Sequence, residues 1–177
     1  MENEQVRLIG PTAEREVEFV SMAKEFVAEG DTVYAKMYAE AVQDFRAYVA
    51  KLQDVANRKN LPEGWVRGST YWLVGSDCRI LGSTRLRHSI ETEYLRYCGG
   101  HIGYDIRPSQ RGNGYGTAAL ALTLQKARQS GLGRVLLTCN ADNAASRRII
   151  EKCGGKFASQ IVCKNEWKVI RRYWVEL

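Results

Sequence analysis

Glycine occupies every second position from Gly112 to Gly116, directly after Arg111. This segment lies between an apolar, extended-looking run and an Ala- and Leu-rich run with helical spacing. The first N–H groups of a helix have no intrahelical acceptor, and the helix dipole places about half a positive charge there. Glycines let the turn reach positive φ and let ligand oxygens approach several N–H groups at once. The segment therefore predicts a site for a phosphate-like anion, with the Arg111 side chain as a cation at its rim.

Other interpretations of the same glycines are available. A tight turn between a strand and a helix would need them as well. A triphosphate-binding loop needs Lys followed by Ser or Thr after its last glycine, and here Gly116 is followed by Thr117 and Ala118. The dinucleotide-binding motif has the spacing G-x-G-x-x-G, whereas this segment has G-x-G-x-G. Neither of these two nucleotide-binding motifs is therefore predicted.

Residues 106–116 (IRPSQRGNGYG) and 143–154 (NAASRRIIEKCG) together carry a family resemblance. The first looks like the acetyl-CoA signature of the GNAT acetyltransferase superfamily, R/Q-x-x-G-x-G/A, with the hydrophobic-x-Pro lead-in that often precedes it. The second is similar to the helix of that superfamily that contains N-x-x-A/S and ends in E-K-x-G. Both segments occur in the superfamily's order, and the resemblance covers about residues 99–157.

The resemblance implies an α/β (α+β) fold with a central mixed, largely antiparallel sheet flanked by helices and a splayed strand pair at the cofactor site. One acetyltransferase-like domain over 1–177 is expected. The implied activity is transfer of an acetyl group from acetyl-CoA, the cosubstrate, directly to a primary amine of a small molecule or peptide. The cofactor-binding residues that it implies are Ile106 beside the pantetheine arm, Arg111, Gly112, Asn113, Gly114, Tyr115 and Gly116 around the pyrophosphate, and Asn143 and Ser146 on the later helix.

The residues that would carry protons differ from the superfamily's common pattern. Its tyrosine just before E-K-x-G is Ile150 here, and its glutamate on the preceding strand is Thr138. A lysine-type amine has a pKa of about 10.4 and arrives protonated, so a base is useful. We predict His101 as the catalytic base because an imidazole can be neutral at working pH. The competing interpretation is a purely structural histidine. Loss of the proton to solvent is the alternative, and further candidates are Glu91, Glu93, Tyr104, Asp105 and Tyr115.

Hydrophobic spacing and breakers predict the elements around the site. The amino-terminal half is expected to form a strand ending at Ile9, a helix from Thr12 to Gly30, a long helix over about 38–58, and a hairpin of 70–75 and 79–88. The rest is expected to form a strand ending at Ile106, a helix over 117–129, a buried strand over 134–139, a helix ending at Gly154, and a hairpin of 156–163 and 168–177 with its turn near Asn165. Glycines at 99, 100 and 103 predict a bulge or a close backbone approach.

Length and composition indicate a soluble globular protein, with 177 residues of which 45% are hydrophobic and 26% charged. No apolar run approaches the ~20 residues of a membrane span, and the first residues are unlike a signal peptide. A cytoplasmic protein with no membrane partner is expected. Five scattered cysteines without a C-x-x-C pair predict free thiols, none of which carries the acetyl group. With two histidines, no metal site is expected.

The net charge of +6 suits a polyanionic partner, whether nucleic acid, membrane or a phosphorylated cofactor. No long basic run or nucleic-acid motif occurs, so no nucleic-acid partner is expected. Arg85 and Arg87 alternate on a predicted strand and should share one of its faces. Two other functions stay open, a non-catalytic acyl-CoA sensor, which the missing Tyr and Glu would suit, and a basic nucleic-acid-binding domain. A homodimer is also left open.

Overall fold

The computed structural model describes residues 5–57, 61–164 and 167–177. The helices are α1 (Glu16–Ala28), α2 (Thr32–Met37), α3 (Ala39–Gln43), α4 (Phe45–Asn57), α5 (Tyr115–Gln129) and α6 (Ala144–Lys152). The strands are β1 (Arg7–Ile9), β2 (Gly68–Val74), β3 (Ile80–Arg87), β4 (Ile102–Ile106), β5 (Arg134–Asn140), β6 (Lys156–Cys163) and β7 (Lys168–Glu176). Short 3₁₀ turns (Ala13–Arg15 and Pro108–Gln110) and a π-helical turn (Leu95–Gly99) join them. The predicted turn near Asn165 lies outside the described residues.

All seven strands form one sheet in the order β1-β2-β3-β4-β5-β7-β6. Neighbouring strands are antiparallel, except that β4 and β5 are parallel. The predicted mixed, largely antiparallel sheet is therefore confirmed. Successive residues of a strand point to opposite faces, so each face of this sheet collects its own core.

Helices cover both faces of the sheet. On one face Trp72 of β2 packs against Phe19 of α1 and Phe45 of α4, with ring centroids 4.9 and 5.9 Å away. On the other face the neighbouring residue, Leu73, packs in a cluster with Ala119 of α5. Helices α1 to α4 therefore lie on one side of the sheet and α5 and α6 on the other. No helix in the described ranges is both long and apolar enough to cross a membrane.

Strands β4 and β5 separate after one residue pair, Ile102 with Leu137. Just before that pair, the His101 N–H donates to the Leu136 carbonyl at 2.8 Å. Gly100 permits this approach, because it has a φ of 64° and a Cβ on it would lie 2.6 Å from the Leu136 oxygen. The close approach that the glycines predict is thus confirmed. Beyond Ile102 the described strands share no further pair, so one edge of β4 opens toward the site.

The long helix predicted over 38–58 is wrong, because this region forms the short α3 and then α4 after a break at Asp44. Asp44 has extended dihedral angles, with φ −145°, and its Oδ1 accepts a hydrogen bond from the Ala47 N–H at 3.0 Å. A side-chain cap of this kind competes with continuation of the preceding helix. The apolar spacing continues across the break and hides it from a periodicity argument. The predicted end at 58 lies outside the described residues.

Arg107 connects α1 to the chain that follows β4. Its side chain is almost fully buried, its Nε donates to Glu25 Oε1 at 2.6 Å, and its Nη2 donates to Ser21 Oγ at 2.7 Å. The other oxygen of Glu25 accepts from the Ser109 N–H at 3.0 Å. These bonds fix the entry to the glycine segment against a rigid helix.

Cys98 and Cys163 form a disulfide, which joins the π-helical turn before β4 to the edge strand β6. The prediction of five free thiols is therefore wrong for these two residues. The cysteines are 65 positions apart in sequence, so their spacing carries no local signal of the pairing. Cys78, Cys139 and Cys153 are free thiols.

We expect the unfolded, unreduced protein to titrate with three thiols, those of Cys78, Cys139 and Cys153. Reduction before unfolding should expose all five. The Cys98→Ser variant should show one thiol more than the unreduced wild type, because it releases Cys163. A count of five without reductant would show that the disulfide does not form.

Candidate active site

The amino end of α5 presents open N–H groups. The N–H groups of Thr117 and Ala118 in its first turn both donate to the Gly114 carbonyl. Within the described ranges, the N–H groups of Gly112, Asn113 and Gly114 have no acceptor. No side chain of the described residues caps the helix. This end of α5 is therefore free to bind an anion.

Gly112 and Gly114 give the segment its shape. Their φ values are 83° and 84°, a region that L side chains rarely adopt. Apart from the adjacent residues, the described part of the chain places no atom within 4 Å of where a Cβ on either would stand, so the space over the loop is open. These glycines are required by the backbone conformation, and the space they leave is available to a ligand.

The sequence predicts the Arg111 side chain as a cation at the rim of the loop, but in the structure a carboxylate matches its charge. Its Nη1 donates to both carboxylate oxygens of Glu29 at 2.7 Å, and its Nε donates to the Ile106 carbonyl at 3.3 Å. Both side chains are partly exposed, so the pair contributes little to stability. The ion pair holds the loop against the end of α1, and the backbone N–H groups are left as the main anion donors.

A cavity of about 560 Å³ lies between this loop, β4 and the start of α6. It is lined by eight of the nine residues predicted to bind the cofactor: Ile106, Arg111, Gly112, Gly114, Tyr115, Gly116, Asn143 and Ser146. The ninth, Asn113, is exposed, and its Nδ2 donates to the Gln110 carbonyl at 3.3 Å. Tyr34 of α2 and Tyr104 of β4 form another part of the wall, and neither is predicted from the sequence to bind the cofactor.

Asn143 has a local role at the start of α6. Its Oδ1 accepts from the Ser146 N–H at 2.9 Å, which caps the helix and fixes both residues beside the cavity. Ile149 from the next turn also lines the cavity, whereas Ile150 is fully buried in the core. The position of the superfamily's tyrosine is therefore occupied here by a core side chain.

Asp105 is the buried carboxylate of the site. Its Oδ1 accepts from Arg85 Nη1 at 2.6 Å and its Oδ2 from the Tyr38 hydroxyl at 2.7 Å. We call these three residues the Asp105 cluster. Burial raises the pKa of Asp105, and the charge of Arg85 opposes that effect. Asp105 lines the first cavity, whereas Arg85 and Tyr38 line a second one.

This second cavity, of about 630 Å³, lies on the α4 side of the sheet. Its walls are mainly aromatic and aliphatic, and include Met37, Tyr48, Leu52, Val55, Trp65, Val66, Leu86, Tyr94 and Leu95. Glu40, Lys51, Arg85 and Arg87 are its charged residues. The Asp105 cluster forms the boundary between the two cavities, because its members face both.

Tyr104 has a buried hydroxyl with no hydrogen-bond partner among the described residues. Burial raises the pKa of Tyr104 to about 12, against an opposing effect of the neighbouring Ser146 hydroxyl. The phenol therefore stays protonated at neutral pH and keeps its O–H as a donor. An unpaired buried donor is costly to a fold, which makes Tyr104 a natural partner for a ligand in the first cavity.

His101 lies outside the linings of both cavities. Its ring is buried, and its Nδ1 accepts a hydrogen bond from the Leu136 N–H at 2.9 Å. Burial, and then the charge of Arg87, lower the pKa of His101. The neutral ring therefore carries its proton on Nε2 and has already used the lone pair of Nδ1. This geometry argues against His101 as the base, although its catalytic role stays a prediction.

The other predicted proton carriers are spread apart. Glu91 and Glu93 are exposed and line neither cavity, while Tyr115 lines the first cavity. Thr138 donates from its Oγ1 to the Cys98 carbonyl at 2.7 Å. Among the described residues no group of three His, Cys, Asp or Glu side chains could hold a metal ion.

A model of the acetyltransferase (GNAT) domain family matches residues 14–156. RimL, a ribosomal L7/L12 alpha-N-protein acetyltransferase in complex with coenzyme A, has a similar fold: TM-score 0.73, 14% identity, covering 99% of this chain and 96% of that chain. The microcin C7 self-immunity acetyltransferase MccE, in complex with acetyl-CoA and AMP, has a TM-score of 0.72 and 17% identity. This match covers 99% of this chain and 94% of that chain. Mycobacterium smegmatis RimJ, in complex with CoA-disulfide, has a TM-score of 0.73 and 17% identity, and the match covers 97% of this chain and 81% of that chain. No curated protein sequence matches the chain.

Proposed function

Because the chain belongs to the acetyltransferase (GNAT) domain family, we propose that it transfers the acetyl group of acetyl-CoA directly to a primary amine. The observation that carries this proposal is the pair of cavities that meet at the Asp105 cluster. One has an open anion-binding loop at its mouth, and the other has walls suited to an organic acceptor. Each substrate can therefore enter from its own side.

The first cavity fits acetyl-CoA, the cosubstrate, on two observations. The open N–H groups around Gly112 and Gly114 suit a pyrophosphate, and the unpaired edge of β4 beyond Ile102 suits the amides of a pantetheine arm. Asn143 and Ser146 would border that arm from α6. Bound acetyl-CoA supplies a thioester, so that transfer forms a C–N bond, breaks a C–S bond and moves one proton from nitrogen to sulfur.

We assign Tyr104 the role of a hydrogen-bond donor to the reacting group. With a pKa raised to about 12 by burial, its hydroxyl cannot serve as a base at neutral pH. A donor held in a site that excludes water stabilises negative charge as it develops, at little cost in reorganisation. Tyr104 would thus partly replace the tyrosine that the superfamily usually has where this chain has Ile150.

Two acceptors could take the proton from the amine: the Asp105 carboxylate and solvent. Asp105 is the carboxylate between the cavities, but its two oxygens already accept from Arg85 and Tyr38. We therefore favour loss of the proton to solvent through the second cavity, with Asp105 stabilising the positive charge of the incoming amine. Proximity alone can supply a large part of the rate in a site of this kind.

For His101 we expect a positioning role, tested by His101→Asn. Asparagine can still accept from the Leu136 N–H, so kcat should stay within about tenfold of wild type, whereas loss of a general base costs about 10² to 10⁴. Since burial lowers the pKa of His101 in the folded state, folding stability should fall as pH drops below about 6.5, its unfolded value. That acid-side loss should shrink in the variant. A loss of kcat beyond 10² with an unchanged stability profile would restore His101 as the base.

A non-catalytic acyl-CoA sensor is the second candidate, and the core position of Ile150 is the observation that favours it. Release of CoA thiol separates the two functions, measured with acetyl-CoA alone and with a panel of amino acids, peptides, polyamines and aminoglycosides. A transferase releases thiol faster when its acceptor is present. Tight CoA binding with no acceptor-dependent release would favour the sensor. The single domain, the cytoplasmic location and the homodimer stay predictions.

A further inference from the structure

The second cavity contains one cation more than the acids around it can match. Lys51 Nζ lies 2.6 Å from Glu40 Oε2, and Arg85 Nη1 lies 2.6 Å from Asp105 Oδ1. Arg87 has no carboxylate partner within the described ranges. The walls of the cavity therefore carry a net positive charge, and that charge lies on Arg87.

Arg87 is only partly satisfied by the protein. Its Nη1 donates to the carbonyls of Gly99 and Gly100 at 3.4 and 3.2 Å. A guanidinium has five N–H donors, and in the described chain the other nitrogens of Arg87 have no acceptor. Burial, and then the charge of Arg85, lower the pKa of Arg87. An anion placed here would satisfy the donors and match the charge.

Arg87 lies close to the boundary between the cavities. Arg85 and Arg87 are two residues apart on β3 and share a face, which places their backbone positions roughly 7 Å apart. Both side chains flank Gly103, whose Cβ would stand 3.6 Å from Arg85 Nη2 and 4.0 Å from Arg87 Nη1. A ligand bound to Arg87 would therefore reach the Asp105 cluster within a few bonds.

We propose that the acceptor is a primary amine that also carries a carboxylate, which Arg87 binds, on an apolar or aromatic body. The proposal rests on the proposed function and narrows it to amino acids and short peptides with a free carboxyl group. The fork of a guanidinium matches the two oxygens of a carboxylate. The walls around Leu52, Trp65 and Tyr94 suit the apolar body. Polyamines are disfavoured, because their several cations would meet a positive wall.

Matched pairs of acid and amide test this site. The probes are phenylalanine with phenylalaninamide, and glycylphenylalanine with its amide, titrated by calorimetry into the CoA-loaded protein. We expect the wild type to bind the acid of at least one pair about tenfold or more tighter than the amide. In Arg87→Gln, which removes the positive charge and keeps a polar side chain, the ratio should fall to about one. Arg87→Lys should retain part of it.

Lys51→Gln is the control, because it removes a cation of the same cavity that Glu40 already matches. It should keep the preference for acids, and thermal melts check that each variant is folded. Equal binding of acid and amide by the wild type, or an acid preference that survives in Arg87→Gln, would overturn the proposal. Acid binding that depends on Arg87 without acetylation would leave the acid site standing and remove the transferase function instead. Acetylation of acids and amides at equal rates would keep the transferase function and overturn the acid site.

Discussion

Gly114→Asp should weaken CoA binding about 100-fold or more in calorimetry. The substitution adds a negative charge at the end of α5 where the open N–H groups should hold a pyrophosphate. Two like charges about 4 Å apart repel by about 4 kcal/mol near a protein surface, more than the 2.7 kcal/mol that 100-fold requires. Aspartate is among the residues that tolerate positive φ, so the φ of 84° should not prevent folding.

Gly131→Asp is the matched control for this effect. Gly131 has a φ of 86°, lies just beyond the other end of α5, and also has no atom within 4 Å of its Cβ position. The backbone strain should therefore be similar while the anion site is untouched. We expect Gly131→Asp to bind CoA as the wild type does. Equal affinity of Gly114→Asp and wild type, or equal losses in both variants, would remove the loop from the cofactor site.

Tyr104→Phe should lower kcat about 10²-fold with CoA affinity nearly unchanged. Loss of one preorganised donor to a developing charge costs about 10² to 10³ in known active sites. The change is conservative, because it removes one oxygen atom and the only described side chain that interacts with this hydroxyl is that of Ser146. Folding stability should therefore change by no more than about 1 kcal/mol.

Tyr34→Phe serves as the control for Tyr104. Tyr34 lines the same cavity, but its hydroxyl is engaged, since it donates to the Tyr104 carbonyl at 3.3 Å. We expect its kcat to change by less than about tenfold. Rates and KM values for both variants, with melting temperatures beside them, decide the matter. A wild-type kcat for Tyr104→Phe would mean that this hydroxyl takes no part in the chemistry.

The conformation of the glycine loop was predictable because it depends on neighbouring residues in the sequence. A strand, a glycine turn and a helix start follow one another in sequence, so Gly112, Gly114 and Gly116 reach the cavity without any long-range information. The sheet was predictable for a similar reason, since apolar alternation and turn residues mark its strands. Asn113 was predicted to bind the cofactor but does not line the cavity. Its neighbours in the sequence do not show which way its exposed side chain turns.

The remaining features depend on contacts between distant residues. Arg85, Tyr38 and Asp105 come from three separate elements, and only the register of β3 on β4 brings them together. The alternation of Arg85 and Arg87 was visible in the sequence. The sequence did not show that Arg85 pairs with Asp105, nor that Arg87 pairs with no carboxylate of the described residues. The lone pair of His101 is taken by a backbone N–H of β5, which no sequence pattern indicates.

Mass spectrometry tests direct acetyl transfer to an amine most directly. The protein is incubated with acetyl-CoA that carries a deuterated acetyl group, together with the amine panel, and both acceptor and intact protein are weighed. We predict that at least one carboxylate-bearing amine gains the deuterated acetyl group while the protein, Cys139 included, does not. Tight CoA binding with no acetylated amine, or a stable acetyl group on the protein itself, would contradict direct transfer.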